Sequence, residues 1–189
     1  MPELCADPIV ASAAVVSALQ TVVSRNISSL DSAVVTVSSI HSGSTDNLIE
    51  DEVSLRGSVR SLQPAARETV LSRMESIVSS CAAAYGCEGS FSLAGGVPAV
   101  INSESLYSAA KSAAEACFGA ENVFSAKPQM ISEDFSWYLA SVPGFYAFVG
   151  SGVPGKENAP LHSAKFRAHD DTALYAAEFL CNIVMHKSC

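Results

Sequence analysis

The sequence has few charged residues and no run of basic ones. Charged side chains make up 16% of the 189 residues, and 11 Lys plus Arg stand against 19 Asp plus Glu, which gives a net charge of -8. Proteins that bind nucleic acid or anionic membrane surfaces carry clustered basic residues. We therefore expect neither a nucleic-acid partner nor a membrane partner. The hydrophobic content of 49% excludes general disorder.

Long apolar runs and the common catalytic motifs are also absent. The longest strictly apolar runs cover a few residues, as at 13–16, whereas a bilayer span needs about 20. The N-terminus lacks the pattern of a signal peptide, so we predict a cytoplasmic location. No GxSxG, HExxH or Gly-rich phosphate motif occurs. The six cysteines form no CxxC pair, which argues against an independent cysteine and histidine metal protein.

Periodicity and turn residues predict the order α-β-β-α-β for the first half of the chain. The predicted elements are a helix opened by Asp7 and Pro8, strands over 32–40 and 52–60, a helix from Pro64 to Gly86, and a strand over 88–94. On the first helix the apolar stripe is predicted as Ile9, Ala13, Val16, Leu19 and Val23. This order resembles a ferredoxin-like sandwich without its first strand.

The second half begins after Gly95-Gly96-Val97-Pro98, which gives two predicted domains, 1–95 and 96–189. It contains a helix capped by Ser103, a short helix capped by Ser132, a buried strand over 145–150 and a final helix from Asp170. The buried face of that last helix is predicted as Leu174, Ala177, Leu180, Cys181 and Val184. One strand cannot close an α/β sheet by itself, so the fold class of the chain is α+β.

Single residues leave the chemistry open. Glu133 and Asp134 are either an acid and base pair or carboxylates that favour a helix N-terminus, and their adjacent positions favour the second interpretation. Asn47 in a turn and Arg60 on a polar strand face are ordinary. His162 lies in the loop segment APLHSAKF with no second metal-ligand residue close by.

Six dispersed blocks, taken together, carry a family resemblance. They are MPEL…DPI at the start, GxxxNxIxDE at 43–52, GSVR at 57–60, SEDF at 132–135, VPGFYAFVG at 142–150 and PLHS at 160–163. In this order they resemble the co-catalytic zinc amidohydrolases, which include hippurate hydrolase, N-acyl-amino-acid amidohydrolase, the auxin-conjugate hydrolases and aminoacylase relatives. The resemblance extends over nearly the whole chain.

The resemblance implies a lid and dimerisation domain of ferredoxin-like fold at 1–95, without its first strand. The C-terminal part of an α/β zinc-peptidase catalytic domain would follow at 96–189. It implies that His162 binds one of two divalent metal ions, zinc with manganese or cobalt as alternatives. Asn47 and Arg60 would bind the substrate, and Glu133 would orient groups behind the metal site. The other metal ligands and the glutamate general base are expected upstream of Met1, so no catalytic residue is assigned within the chain.

The implied reaction is hydrolysis of the amide bond of N-acyl amino acids or small peptides by a homodimer that pairs through its lid. Because one histidine cannot build a zinc site, the isolated chain is predicted to be inactive. The alternative is a non-catalytic dimerisation or interaction module, or a relic, that pairs with a full-length paralogue. Two departures suit that alternative, since the family has proline where this chain has Glu50 and Ala164.

Overall fold

The structure is a computed structural model, and it describes residues 1–153 and 155–186. Its helices and strands, in chain order, are α1 (Pro8–Asn26), β1 (Ala33–His41), β2 (Ser54–Ser61), α2 (Pro64–Ala84), α3 (Glu104–Phe118), α4 (Ser136–Leu139) and α5 (Thr172–His186). Short 3-10 turns occupy Pro2–Leu4 and Ala120–Asn122. This mixture of helices and sheet confirms the α+β class.

The chain divides into two compact units. The first comprises Met1–Ala99 and Pro128–Glu133, and the second comprises Val100–Lys127 and the residues from Asp134 onward. The assignment of lid and catalytic roles to the two predicted domains stays a prediction.

α1 begins as the sequence predicts. Asp7 is the N-cap, and its Oδ1 accepts hydrogen bonds from the backbone N–H groups of Ile9 and Val10 at 2.9 and 3.1 Å, which satisfies two donors left open by helix geometry. The predicted apolar stripe coincides only in part with the buried face, since Leu19 is buried, Val16 and Val23 are half-buried, and Ile9 and Ala13 are exposed. The buried residues are Ala11, Ser12, Val15, Leu19 and Val22, because nearly every position in this helix is apolar or small and spacing alone permits more than one face.

α1 is also long and apolar enough to cross a membrane by length and composition. Its mean hydropathy is 1.3, and 22% of the 18-residue window is buried. This is weak evidence for a membrane segment, because the core helix of a folded domain meets the same criterion. Here Val15, Leu19 and Val22 pack in the core of the first unit.

β1 and β2 form a two-stranded antiparallel sheet, with Val35 opposite Val59 and an irregularity between Val37 and Ser39. Gly57 lies beside that irregularity, where a Cβ would stand 2.1 Å from the carbonyl oxygen of Thr36. Glycine is therefore required for the two backbones to approach. Alternate residues of both strands face the helices, as the predicted alternation requires.

The core of the first unit lies between this sheet and the two long helices. Val15, Leu19 and Val22 of α1 and Val70 of α2 are its buried centre. Partly buried neighbours from the sheet and from α2 complete the cluster: Ile27, Ala33, Val35, Val37, Leu55, Val59, Met74, Ile77, Val78 and Cys81. α2 ends at Ala84, and the predicted stop at Gly86 follows two residues later. Gly86 has φ of +73°, and the backbone N–H groups of Gly86 and Cys87 donate to the carbonyls of Ala83 and Ala82.

In the second unit α3 packs against α5. Phe118 contacts Tyr175 edge-on, with ring centroids 6.1 Å apart, and Phe179 at 6.3 Å. Asn102 holds a separate aromatic segment, since its amide donates to the Tyr146 carbonyl at 2.9 Å and its Oδ1 accepts from the Tyr146 N–H at 2.8 Å. One side chain thus replaces a pair of strand hydrogen bonds.

Four predictions for local structure are wrong. Residues 88–94 and 145–150 are not strands within the described part of the chain, because an extended segment needs a neighbouring strand for its ladder. The short helix begins at Ser136 with Phe135 as N-cap, so Ser132 does not cap it. The predicted buried face of α5 is exposed, with Leu174, Leu180 and Val184 at 67%, 62% and 66%, while Phe179 is buried at 7%.

Candidate functional site

His162 lies at the third position of a tight turn. The Ser163 N–H donates to the Pro160 carbonyl at 3.1 Å. His162 has φ of +69°, and no other non-glycine residue in the described part of the chain has a positive φ. This geometry is that of a type II turn, whose third position favours glycine or asparagine. A histidine held there costs roughly 1 kcal/mol or more of backbone strain, and such strain concentrates at functional sites. The side chain is exposed.

The loop that carries His162 is closed by its own hydrogen bonds. The His169 N–H donates to the Ser151 carbonyl at 2.9 Å. Inside the loop, Asn158 accepts from the Val153 N–H at 2.9 Å and donates to the Val153 and Lys156 carbonyls, both at 3.1 Å. Long loops with close ends and internal bonds are frequently functional. The turn at His162 therefore lies in a loop whose described residues are joined by several hydrogen bonds.

Arg60 lies on β2 opposite Val34 and is exposed. Its Nη1 donates to the Met130 carbonyl at 2.9 Å and to the Ser132 Oγ at 3.2 Å. Arg60 takes part in neither of the charge contacts that the structure shows between described residues, which join Lys111 to Glu115 and, when the histidine is protonated, His169 to Asp171. Its charge is thus exposed, and its two contacts are neutral acceptors.

Asn47 and Glu133 lie in irregular segments. Asn47 is exposed in the connection between β1 and β2 rather than on a strand. Among the hydrogen bonds that the structure shows between described residues, none joins Asn47 to Arg60. Glu133 is half-buried and ends the Pro128–Glu133 segment of the first unit. The structure therefore brings Arg60 to the segment that ends at Glu133, and His162 belongs to the second unit.

These residues do not make a metal site by themselves. The described residues contain no group of three or more His, Cys, Asp or Glu side chains placed to hold a metal ion. Zinc sites use three or four protein ligands. His162 is thus a lone candidate ligand, and no reaction step can be derived through a metal from this chain alone.

Sequence reasoning missed Met130 and Ser132 as partners of Arg60. Ser132 stood before two carboxylates, a pattern typical of a helix cap, and that pattern hid its contact with a strand 72 positions away. A main-chain carbonyl such as that of Met130 carries no sequence signal at all. The hydrogen bonds that Asn158 makes with the backbone of Val153 and Lys156 were also missed.

Comparison with known proteins identifies the family. The family described as Peptidase family M20/M25/M40 matches residues 21–186. The N-acetylcysteine deacetylase of Bacillus subtilis (strain 168) is 33% identical over 185 residues, which cover 98% of this chain and 47% of that protein. The IAA-amino acid hydrolase ILR1-like 5 of Arabidopsis thaliana is 30% identical over 190 residues, with 97% and 43% covered.

Solved structures agree with these relatives. The Bacillus subtilis YXEP protein, described as a dinuclear metal binding peptidase from the M20 family, matches with a TM-score of 0.77 and 28% identity over 94% of this chain and 45% of that one. A structure from methicillin resistant Staphylococcus aureus matches with a TM-score of 0.84 and 28% identity over 98% and 48%. The chain spans about half the length of the curated relatives it matches, with 47% of the first covered. The resemblance carried by the six sequence blocks is confirmed, and the chain belongs to peptidase family M20/M25/M40.

Proposed function

We propose that this chain supplies the carboxylate-binding residues and one metal ligand of a metal-dependent amidohydrolase that cleaves the amide bond of N-acyl amino acids. The observation that carries the proposal is the family match over residues 21–186. Relatives named as deacetylases of N-acetylcysteine and N-acetyldiaminopimelate support the substrate class. The cytoplasmic location and the absence of nucleic-acid and membrane partners stay predictions from the sequence.

Arg60 is the proposed ligand of the free carboxylate of the amino acid. A planar guanidinium binds a carboxylate through two parallel N–H bonds, and Arg60 is exposed with neutral acceptors as its contacts. Asn47 would donate its amide N–H to the same carboxylate or to the oxyanion that develops at the cleaved carbonyl. Both residues belong to the first unit, which we propose is the ferredoxin-like lid.

His162 is the proposed metal ligand of the chain. A neutral imidazole is a good ligand for zinc, manganese or cobalt, and the positive φ of His162 fits a residue held in place for a purpose other than stability. Glu133 would orient groups behind that site. Because the described residues form no complete site, we propose that the remaining ligands and the general base come from an upstream segment and that the chain alone is inactive.

The test is an assay of N-acetylcysteine hydrolysis in two samples: the purified chain, and the chain joined to the preceding half of the Bacillus subtilis relative. We expect no hydrolysis by the chain alone and chelator-sensitive hydrolysis by the joined protein. His162→Ala should lower that activity by at least about 100-fold, because even the outer-shell partners of metal ligands cost about 10- to 100-fold when they are removed. The matched control is His41→Ala, an exposed histidine at the end of β1, which should leave it unchanged. Chelator-sensitive hydrolysis by the chain alone would contradict the proposal.

A second candidate is a dimerisation module, and the sheet favours it. β1 and β2 are the two strands of the sheet within the described residues, so each keeps one open edge, and open edges recruit further strands. Sedimentation over a range of concentrations tests this. A dimer that forms as the concentration rises would support it, whereas a monomer at every concentration would exclude it.

A further inference from the structure

One nitrogen of Arg60 already has a fixed environment. Nη1 carries two N–H groups, and it makes two hydrogen bonds, to the Met130 carbonyl at 2.9 Å and to the Ser132 hydroxyl at 3.2 Å. Both acceptors come from one short segment, Pro128–Glu133, which packs within the same unit as β2. The guanidinium is therefore held from one corner by a main-chain group and a side chain two residues apart.

Two of the remaining donors of Arg60 lie on one edge. A guanidinium has five N–H donors in a rigid fork, so two on Nη1 leave one on Nε and two on Nη2. The Nε–Nη2 edge presents two parallel N–H groups, which is the arrangement that binds both oxygens of a carboxylate. The hydrogen bonds that the structure shows for Arg60 both start from Nη1.

We propose that Ser132, with the Met130 carbonyl, is a positioning residue that anchors Nη1 of Arg60 and thereby directs the Nε–Nη2 edge toward the substrate carboxylate. This inference rests on the proposed function, in which Arg60 binds that carboxylate, and it names the residue that fixes its orientation. An exposed arginine side chain otherwise loses rotamer freedom when it binds a ligand. Anchoring before binding removes part of that cost. A carboxamide or ester in place of the carboxylate would lose the charge-assisted pair.

The test follows the Nε–H signal of Arg60 by NMR in the full chain labelled with ¹⁵N-arginine, and the signal is assigned with Arg60→Lys. N-acetylcysteine is added to the chain, and its carboxamide analogue is the control ligand. We expect a saturable shift with the carboxylate and none with the carboxamide. Ser132→Ala should weaken binding by about fivefold, the loss of one hydrogen bond to a charged group without burial.

Two further variants separate positioning from folding. Ser132→Thr keeps the hydroxyl and should restore the affinity of the original chain, and Ser29→Ala removes an exposed serine of the same unit and should change nothing. Equal binding by the original chain and Ser132→Ala would overturn the role of Ser132 and leave the role of Arg60 intact. No shift at Arg60 with the carboxylate would overturn both roles of these residues, while the hydrolysis assay of the joined protein still decides the proposed reaction. Failure of Ser132→Thr to restore binding would also overturn the proposal.

Discussion

The two units of the chain differ in how completely they bury their own apolar residues. The first unit places two long helices on a sheet, and Val22 and Val70 have no exposed surface. The second unit buries Phe179 and two alanines of α3, Ala110 and Ala113. Its large apolar side chains remain exposed at many positions, among them Phe124, Trp137, Tyr138, Phe148, Leu161, Leu174, Leu180, Val184 and Met185.

This difference shows that periodicity predicts a face only when the partner of that face is also in the chain. In the first unit the sheet and the helices provide each other's partner layers. In the second unit α5 is apolar around most of its circumference, and α3 covers one side of it. Large exposed apolar surfaces usually mark binding sites, so the second unit is where further contacts of this chain are expected.

The largest expected effect is the difference in stability between two leucine-to-alanine variants, one in each unit. Leu19→Ala in the core of the first unit, where Leu19 is 3% exposed, should lower the free energy of unfolding by about 3 kcal/mol. Leu180→Ala on the 62% exposed face of α5 should change it by less than about 0.5 kcal/mol. The urea dependence of hydrogen exchange at the β1 amides measures the unfolding of the first unit. The urea dependence of the fluorescence of Trp137 measures the unfolding of the second unit. A large loss in Leu180→Ala would mean that this face is covered in solution.

Helix caps offer an intermediate comparison. Asp7 accepts two backbone hydrogen bonds at the start of α1, so Asp7→Ala should cost about 1 kcal/mol. Ser103 at the start of α3 makes no side-chain cap bond, and its hydroxyl contacts Ser105 at 2.9 Å. Ser103→Ala should therefore cost only about a few tenths of a kcal/mol. The urea midpoints of the two variants measure these losses of stability. Equal losses in Asp7→Ala and Ser103→Ala would contradict the difference in capping.

The smallest expected effect concerns Cys117 on α3. Burial raises the pKa of this thiol, the charge of Glu178 raises it further, and a hydrogen bond with Asn182 lowers it in part. Because the thiolate is the nucleophile, Cys117 should react with iodoacetamide more slowly at pH 8 than the exposed Cys181, as mass spectrometry of each peptide can show. Equal rates would mean that the α3 and α5 packing is open in solution.

The same shift has a consequence for stability. A group whose pKa is raised in the folded state favours folding fully at a pH below the pKa of the unfolded thiol, and this contribution is lost as the pH rises through the folded pKa. Stability should therefore fall at alkaline pH, and Cys117→Ala should flatten that fall. If the stability of Cys117→Ala falls as steeply at alkaline pH as that of the original chain, other groups cause the fall.

Elements with a local cause were predictable. The Asp7-Pro8 start, the alternation of β1 and β2, and the Gly86 stop each depend on a few neighbouring residues, and each is confirmed. The strand predictions at 88–94 and 145–150 failed because a strand exists through its neighbour. The candidate site divides in the same way, since the motif blocks identified the family and named Arg60 and His162, whereas the hydrogen-bond partners of Arg60 had no pattern in sequence.

The sequence by itself determined where α1 starts and where α2 stops, which residues alternate on β1 and β2, and which family the chain belongs to, because these depend on short-range geometry and on motifs in fixed order. Only the tertiary structure decided which face of α1 and α5 is buried, that His162 takes a left-handed backbone conformation, and that Ser132 and the Met130 carbonyl meet Arg60. The physical reason is that burial and long-range hydrogen bonds each depend on two segments that are distant in sequence. The sequence of one segment does not show which other segment it contacts.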